Sequence, residues 1–437
     1  MNNKTLHSRS IHNAAWIIAC RIVQSILGLA VTMISARYLG PSNYGLINYA
    51  ASIMNFILPV MQLGLNSTLV QELVTDPESE GVTLGTALIM SMLSAVLGII
   101  GTASFTLVAN PGDRETQIVC ILYGVGLLTR ALEMTQYWFQ AKLMSQYTSL
   151  SVLVAYILVS AYKIFLLITN KSIYYFAVAQ SIDYLLIAIS LLILYRRLGG
   201  QKLSFSVVRG KALLKKSRYY IISGIMITVF AQTDKIMLNL MVGEAATGFY
   251  SAAVACTTMT NFVFVAIVDS ARPTVLKSKA MGNEIYERNV SFLYSVMFYL
   301  SLAQCVVVTL FAPPIIRVLY GTEYAKSIDI LRLCVWYTTF SYLGSARSVW
   351  ILAENMHYIL WKMNLLGALT NILLNSILIP VLGAMGAALA SLITQGFTNV
   401  LLGFLIKPIR ENNRLMVRGM NPRFLYRECA RLIKRRS

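Results

Sequence analysis

Arg37-Tyr38-Leu39-Gly40-Pro41-Ser42-Asn43-Tyr44-Gly45-Leu46-Ile47-Asn48-Tyr49-Ala50 lies between two long apolar blocks. Met241-Val242-Gly243-Glu244-Ala245-Ala246-Thr247-Gly248-Phe249-Tyr250-Ser251-Ala252-Ala253 lies between another two. Gly40 and Gly45 recur as Gly243 and Gly248, and Ala50 recurs as Ala253, displaced by 203 residues in each case. A glycine pair at this position predicts a tight helix-to-helix turn needing positive φ, which glycine adopts without steric cost. The chain therefore reads as two related halves, each starting with a long apolar segment followed by this turn.

Outward from the turns the same character holds. The 437 residues are 57% hydrophobic and only 13% charged, against about 25% charged in soluble domains. The apolar residues gather in blocks of roughly 20, the length of a membrane span. Twelve spans are predicted, at about 14–38, 43–65, 82–108, 116–138, 148–169, 173–195, 219–242, 248–271, 290–312, 328–350, 357–380 and 385–406. The blocks are continuous rather than alternating, so the fold class is an all-α polytopic membrane protein and not a barrel. The first block is expected to be an uncleaved span, being long and carrying Arg21.

With the N-terminus inside, 25 of the 37 Lys and Arg residues fall on the inner side, four in outer loops and eight inside spans. Cytoplasmic loops collect cations, so both termini are predicted to be cytoplasmic in a multi-pass membrane protein. Segment 66–81 is the exception, with Glu72, Asp76, Glu78 and Glu80 and no cation. The hydrophilic stretch 196–218 divides six spans from six. The predicted organisation is an N-terminal lobe 1–195, a basic linker 196–218, a C-terminal lobe 219–406 and a basic tail 407–437. Six spans per half make the repeat parallel, with its pseudo-two-fold axis along the membrane normal and a central cavity expected between the lobes.

Several function classes are excluded. The net charge of +19 is explained by the positive inner loops, and no RNA-binding signature accompanies it, so no nucleic-acid partner is expected. The six cysteines form no CxxC pair and read as small packing residues. His7, His12 and His357 have no metal-ligand spacing. No nucleotide-binding, nucleophile-elbow or zincin motif occurs in its required context, so neither enzyme activity, metal nor cofactor is expected.

Stretch 37–45 resembles the first loop of Wzx-type polysaccharide-precursor flippases. So do Gln232-Thr233-Asp234-Lys235-Ile236-Met237, running on through Gly243 to Ala253, and Pro380-Val381-Leu382-Gly383-Ala384-Met385-Gly386-Ala387-Ala388-Leu389-Ala390. These proteins belong to the multidrug/oligosaccharidyl-lipid/polysaccharide exporter superfamily. The resemblance implies alternating access by two six-helix lobes and an anionic substrate, an undecaprenyl-diphosphate-linked oligosaccharide moved to the outer leaflet for surface polysaccharide synthesis. It also implies membrane lipids, a polysaccharide polymerase and chain-length machinery as partners. A cation-coupled multidrug exporter of the same superfamily is the alternative.

The cations inside spans carry the chemical clue, because a charge at the bilayer centre costs about 2.5–3.5 kcal/mol on insertion scales. Arg37, Arg332, Arg347 and Lys362 lie near span ends, where snorkelling to the interface accounts for them. Arg130 has Glu133 three residues on, on the same helical face, and mutual neutralisation is expected, with a cavity role for the pair left open. Arg21, Lys163 and Lys235 have no acid one turn away on their own face. Together with Arg130 they are the candidate substrate-binding residues, suited to a diphosphate. Asp183, Asp234 and Glu133 are the candidates for ion or proton coupling, Asp183 also being a potential partner for Lys163. Asp269 is expected to pair with Arg272, and Glu354 to be solvated.

Overall fold

The computed structural model describes the backbone of residues 3–356 and 358–434, and their side chains except those of 3–19, 21, 22, 25, 26, 67, 223, 358, 429 and 432–434. The side chain of Arg21 thus lies outside the described residues, as does His357. The described residues contain helices and turns but no strand. The chain divides into two compact units, Met1–Gln232 and Thr233–Ser437.

The first unit holds α1 (Asn3–Met61), α2 (Leu65–Thr75), α3 (Glu80–Ala109), α4 (Arg114–Leu132), α5 (Gln136–Ala141), α6 (Ser145–Ile168), α7 (Ile173–Arg197) and the start of α8 (Val207–Met241). The second takes the end of α8, then α9 (Glu244–Thr258), α10 (Asn261–Ala280), α11 (Asn283–Leu319), α12 (Ser327–Ala353), α13 (Tyr358–Leu382), α14 (Ala384–Gly396), α15 (Leu402–Leu405), α16 (Arg410–Met420) and α17 (Pro422–Lys434). A π-helical turn, Phe397–Leu401, joins α14 to α15.

Nine of the described helices are long and apolar enough to cross a membrane, and α9 with α10, bent by 41°, makes a tenth candidate. The less apolar α12 adds 27 residues, long enough to span. The single run α1 is two helices broken at Gly40 (φ 70°, ψ 173°), so it holds both of the first two expected spans. These elements accommodate the twelve expected spans.

The turn glycines behave as the repeat predicted at one position of each pair. Gly40 and Gly243 (φ 113°, ψ −178°) both occupy backbone that favours glycine, and Pro41 then begins the next helix with its fixed φ. The second members, Gly45 and Gly248, do not have positive φ. They sit buried inside the following helix, so their role is packing rather than turning.

Stretch 198–206 is not free. Tyr195 donates its hydroxyl to the carbonyl of Gln201 at 2.7 Å, and the Gln201 side chain bridges Gly81 N–H and the Pro77 carbonyl, both at 3.1 Å. Ser204 N–H donates to the Gly81 carbonyl at 3.3 Å, and Ser206 N–H to Thr86 Oγ1 at 3.0 Å. A β-carbon on Gly81 or Gly85 would strike the carbonyls of Lys202 and Ser204. The extended stretch therefore lies directly on the first turns of α3.

The cation-free segment 66–81 finds its counter-charges here. Arg209 reaches Glu72 at 3.4 Å and Asp76 at 3.3 Å, Lys216 pairs with Glu72, and Lys142 pairs with Glu80 at 2.8 Å. Arg209 also donates to Thr83 Oγ1 at 2.9 Å. The Ser79 hydroxyl donates to Asp76 and holds that carboxyl below its ordinary value. Beneath this network Leu65, Leu69 and Leu73, one face of α2, pack with Leu84, Trp138, Phe139, Tyr195 and Leu213. The start of α8 is thus fastened to the first unit, which is why the unit boundary falls inside α8 rather than in the hydrophilic stretch.

In the second unit Phe264 stacks on Tyr342 at 3.6 Å, within a core that includes Tyr294, Met297, Leu343 and Trp350. Leu415 and Met416 of α16 belong to this core, so the first part of the basic tail is integral to the unit.

Replacing Gly85 by Val forces a branched side chain into the Ser204 backbone and is expected to destabilise the protein by about 1–3 kcal/mol. Gly101→Ala on the same helix meets nothing within 4 Å and should leave stability equal or slightly raised. Thermal melts of the two purified variants measure the difference.

Candidate functional site

The predicted site residues divide between the units and are described unit by unit. In the first, Arg130 ends α4 and Glu133 opens the 3-10 turn Glu133–Thr135. Their i, i+3 spacing brings Arg130 Nη1 to Glu133 Oε2 at 2.5 Å, as the sequence anticipated. Tyr184 of α7 places its ring 4.8 Å from the guanidinium carbon, adding a cation–π contact on the other side. Asp183, the residue before Tyr184, interacts electrostatically with both Arg130 and Lys163 of α6. Lys163 and Asp183 form no ion pair within 4 Å. Two carboxylate oxygens, Glu133 Oε1 and Asp183 Oδ1, are buried without a hydrogen-bond partner among the described residues. This cluster of two cations, two acids and a tyrosine can accept a proton, a cation or a hydroxyl donor at those oxygens, and can donate from Arg130 and Lys163.

In the second unit Asp234 is 8% exposed and surrounded by neutral donors from three other helices. Tyr250 of α9 donates its hydroxyl at 2.6 Å, Ser391 of α14 donates to the same oxygen, and Asn371 and Asn375 of α13 donate to the other at 3.0 and 2.6 Å. Four hydrogen bonds from neutral donors thus converge on one carboxylate. Asn375 Oδ1 beside it has no hydrogen-bond partner among the described residues. Lys235, the next residue, takes no part in these hydrogen bonds. It makes no hydrogen bond or ion pair among the described residues, although Asp234 acts on it electrostatically.

The asparagines were not singled out from the sequence. Their signal was present: Asn371 and Asn375 are spaced i, i+4 in an otherwise apolar segment, so both amides share one face.

Arg347 requires a correction. Snorkelling was expected, yet it is 2% exposed and engages α16 and the π-helical turn. Its guanidinium donates to Asn412 Oδ1 at 3.2 Å, to Asn413 Oδ1 at 2.9 Å, to the Thr398 carbonyl at 3.2 Å and to the Asn399 carbonyl. Asn413 also donates to the Val400 carbonyl at 2.7 Å. A π-helical turn leaves carbonyls out of the ordinary ladder, and these side chains satisfy them. Gly344 and Gly403 leave the room that Asn399 and Asn413 occupy. Arg332, by contrast, is exposed and paired with Asp329 at 3.1 Å, and Lys362 is exposed, as end-of-span residues should be. Asp269 pairs with Arg272 at 3.2 Å as expected. Glu354 is not merely solvated but pairs with Lys279 at 2.9 Å.

A family model described as "polysaccharide biosynthesis protein" matches residues 10–279, more than half of the chain. The chain belongs to that family. No curated protein matches it in sequence. Among solved structures, the lipid II flippase MurJ in an inward closed conformation is similar with a TM-score of 0.75 and 17% identity, over 92% of this chain and 90% of that one. An inward-facing multidrug-resistance MATE transporter of the MOP superfamily gives 0.67 at 14% identity, over 91% and 96%. A MOP superfamily transporter from Pyrococcus furiosus, described as having a binding pocket of reversed polarity, gives 0.54 at 14% identity, over 92% and 94%. The family bears out the expected link to polysaccharide synthesis, and the fold is similar to that of structures described as a flippase and as transporters.

Arg347→Met keeps the volume but takes the arginine donor from two carbonyls and Asn413 Oδ1, while Asn412 Oδ1 keeps Tyr294. At about 1–3 kcal/mol for each buried unsatisfied group, the loss should reach at least about 3 kcal/mol. Arg332→Met removes an exposed pair worth about 0–1 kcal/mol. Thermal unfolding of the two variants side by side should show a large drop for the first and almost none for the second.

Proposed function

We propose that this protein flips undecaprenyl-diphosphate-linked oligosaccharide units from the cytoplasmic to the outer leaflet of a bacterial inner membrane, with both termini cytoplasmic. The observation that carries this reading is Lys235, a cation within a membrane-length helix with no hydrogen bond or ion pair among the described residues, in a chain of the polysaccharide biosynthesis family. Arg130, Lys163 and Arg21 join it as the groups that receive the diphosphate, Arg through its planar fork and Lys as a point charge. The isoprenoid tail stays in lipid while the head passes along these cations. Segments 1–195 and 219–406 act as the two lobes, with 196–218 as linker and 407–437 as tail. The product emerges where a polysaccharide polymerase and its chain-length machinery would take it up.

A membrane potential of about 100 mV, negative inside, favours outward movement of each net negative charge by roughly 2.3 kcal/mol. The potential is therefore part of the driving force for an anionic head. Asp183, Glu133 and Asp234 are the coupling groups in this reading, the first two supported by their unpartnered oxygens. Those oxygens also favour a second reading, a cation-coupled drug exporter. The cations inside the predicted spans outnumber the acids there, which favours the first, because a cationic drug would be repelled by that surplus.

Each charge-assisted contact to phosphate contributes about 1.5–3 kcal/mol, roughly a 10- to 150-fold effect on rate if made on the transport path. Lys235→Ala combined with Arg21→Ala is therefore expected to cut flipping of a lipid-linked oligosaccharide in proteoliposomes by at least tenfold. An unchanged rate at full incorporation sinks the proposal. Loss of efflux of a cationic dye, with lipid flipping intact, would favour the exporter instead.

A further inference from the structure

The last two helices carry a pattern that transport does not use. Arg410, Arg414 and Arg418 are spaced i, i+4, i+8 on α16, and Arg423, Arg427 and Arg431 repeat that spacing on α17. Four residues advance a helix by slightly more than one turn, so each trio forms one stripe. All six arginines are exposed. Few acids oppose them. Arg418 pairs with Glu287 at 3.5 Å and Arg431 with Glu428 at 2.8 Å, while Arg410 donates to the Phe404 carbonyl. Glu428 is shared with Arg288 at 3.6 Å, and Glu411 is exposed nearby. Arg414, Arg423 and Arg427 pair with no acid among the described residues.

The α16 stripe is held rigidly outward. On the opposite face of α16, Asn412 accepts from Tyr294 at 2.9 Å, the Gly419 carbonyl accepts from Ser295 at 2.6 Å, and the Met420 carbonyl accepts from Tyr299 at 2.7 Å. A β-carbon on Gly419 would strike the Ser291 carbonyl of α11. The chain reaches α16 only five residues after Leu405, the end of the apolar segment Ala384–Leu405. A helix attached that closely to the end of a membrane-length segment is within reach of lipid headgroups. Between the arginines of α17 come Phe424, Leu425 and Tyr426, the last 77% exposed. Apolar and aromatic residues beside arginine suit a surface that is charged above and hydrocarbon below.

We infer that α16 and α17 form a docking surface for the anionic phospholipid headgroups of the adjoining leaflet. The arginines take the phosphates, and the exposed Tyr426 enters the boundary between headgroup and acyl chain, while Phe424 lies 5.3 Å from the Arg418 guanidinium. This surface is separate from the buried cations assigned to the transported lipid, and its test does not depend on flipping. Each arginine at an anionic surface contributes roughly fivefold to partition.

The full chain in nanodiscs of phosphatidylcholine alone, or with about 30% phosphatidylglycerol, provides the test. Limited chymotrypsin cleavage at Phe424 and Tyr426, followed by mass spectrometry, reads the docking. The anionic discs should slow cleavage at least fivefold. That protection should vanish in about 0.5 M salt, where screening shortens to a few ångströms. It should also vanish in the variant Arg423→Gln, Arg427→Gln, Arg431→Gln, whose unchanged melting temperature would show that the fold is intact. Equal cleavage in both lipids overturns the inference, as does protection that survives in the variant. Protection by polyuridylate or an acidic protein in phosphatidylcholine discs, with none from phosphatidylglycerol, also overturns it and assigns the stripes to a soluble polyanion.

Discussion

A charge taken out of water must be met by opposite charge, by dipoles or by a ligand, and that constraint orders most of what is polar in this protein. The chain meets it in four different ways. Arg130 has a carboxylate and an aromatic face. Arg347 has no acid and is satisfied by two carbonyls and two amide oxygens. Asp234 has no hydrogen-bonded cation and is satisfied by two amides and two hydroxyls. Lys235 has neither kind of hydrogen-bonded partner. The contacts of Arg347 and Asp234 tie separate helices together, whereas Arg130 is met largely within its own chain segment. Lys235 has no hydrogen bond or ion pair among the described residues, and that is the ground for proposing that it meets a ligand.

The same constraint explains the departure from the charge asymmetry of the loops. Segment 66–81 carries acids where cations are the rule, and those acids are spent on Arg209, Lys216 and Lys142. They fasten the extended stretch after α7 and the beginning of α8 onto α3. A hydrophilic, glycine-containing stretch looks like a flexible linker from composition alone. What composition omits is the pairing across some 120 residues, Gly81 with Gln201 and Thr86 with Ser206.

The fold class was legible because it depends on short-range quantities. Block length, charge asymmetry and a glycine recurring at a fixed displacement are all visible along the chain, and Gly40 and Gly243 show the positive φ that the recurrence requires. The Arg130–Glu133 pair was legible for the same reason, since residues three apart share one helix face. The Asp234 hub was only half visible. The acid and the Asn371–Asn375 spacing can each be read locally, but that α8, α9, α13 and α14 converge on one carboxylate is a fact of tertiary packing. Arg347 was misread because distance from a span end predicts access to water only when nothing folds back over that end.

What folds back is α16. The last membrane-length segment contains a π-helical turn, and the extra residue in that turn leaves the carbonyls of Thr398, Asn399 and Val400 in need of donors. Hydrocarbon offers none, and water is excluded where Arg347 is 2% exposed. Arg347 comes from α12 and Asn413 from α16, so the irregular turn can persist only while three separate elements stay in register. The arginine would in turn be an unpaired charge without the amides of α16. Each part is intolerable alone and stable together, so α16 is a condition for the last span's geometry, even though its composition resembles a soluble basic tail.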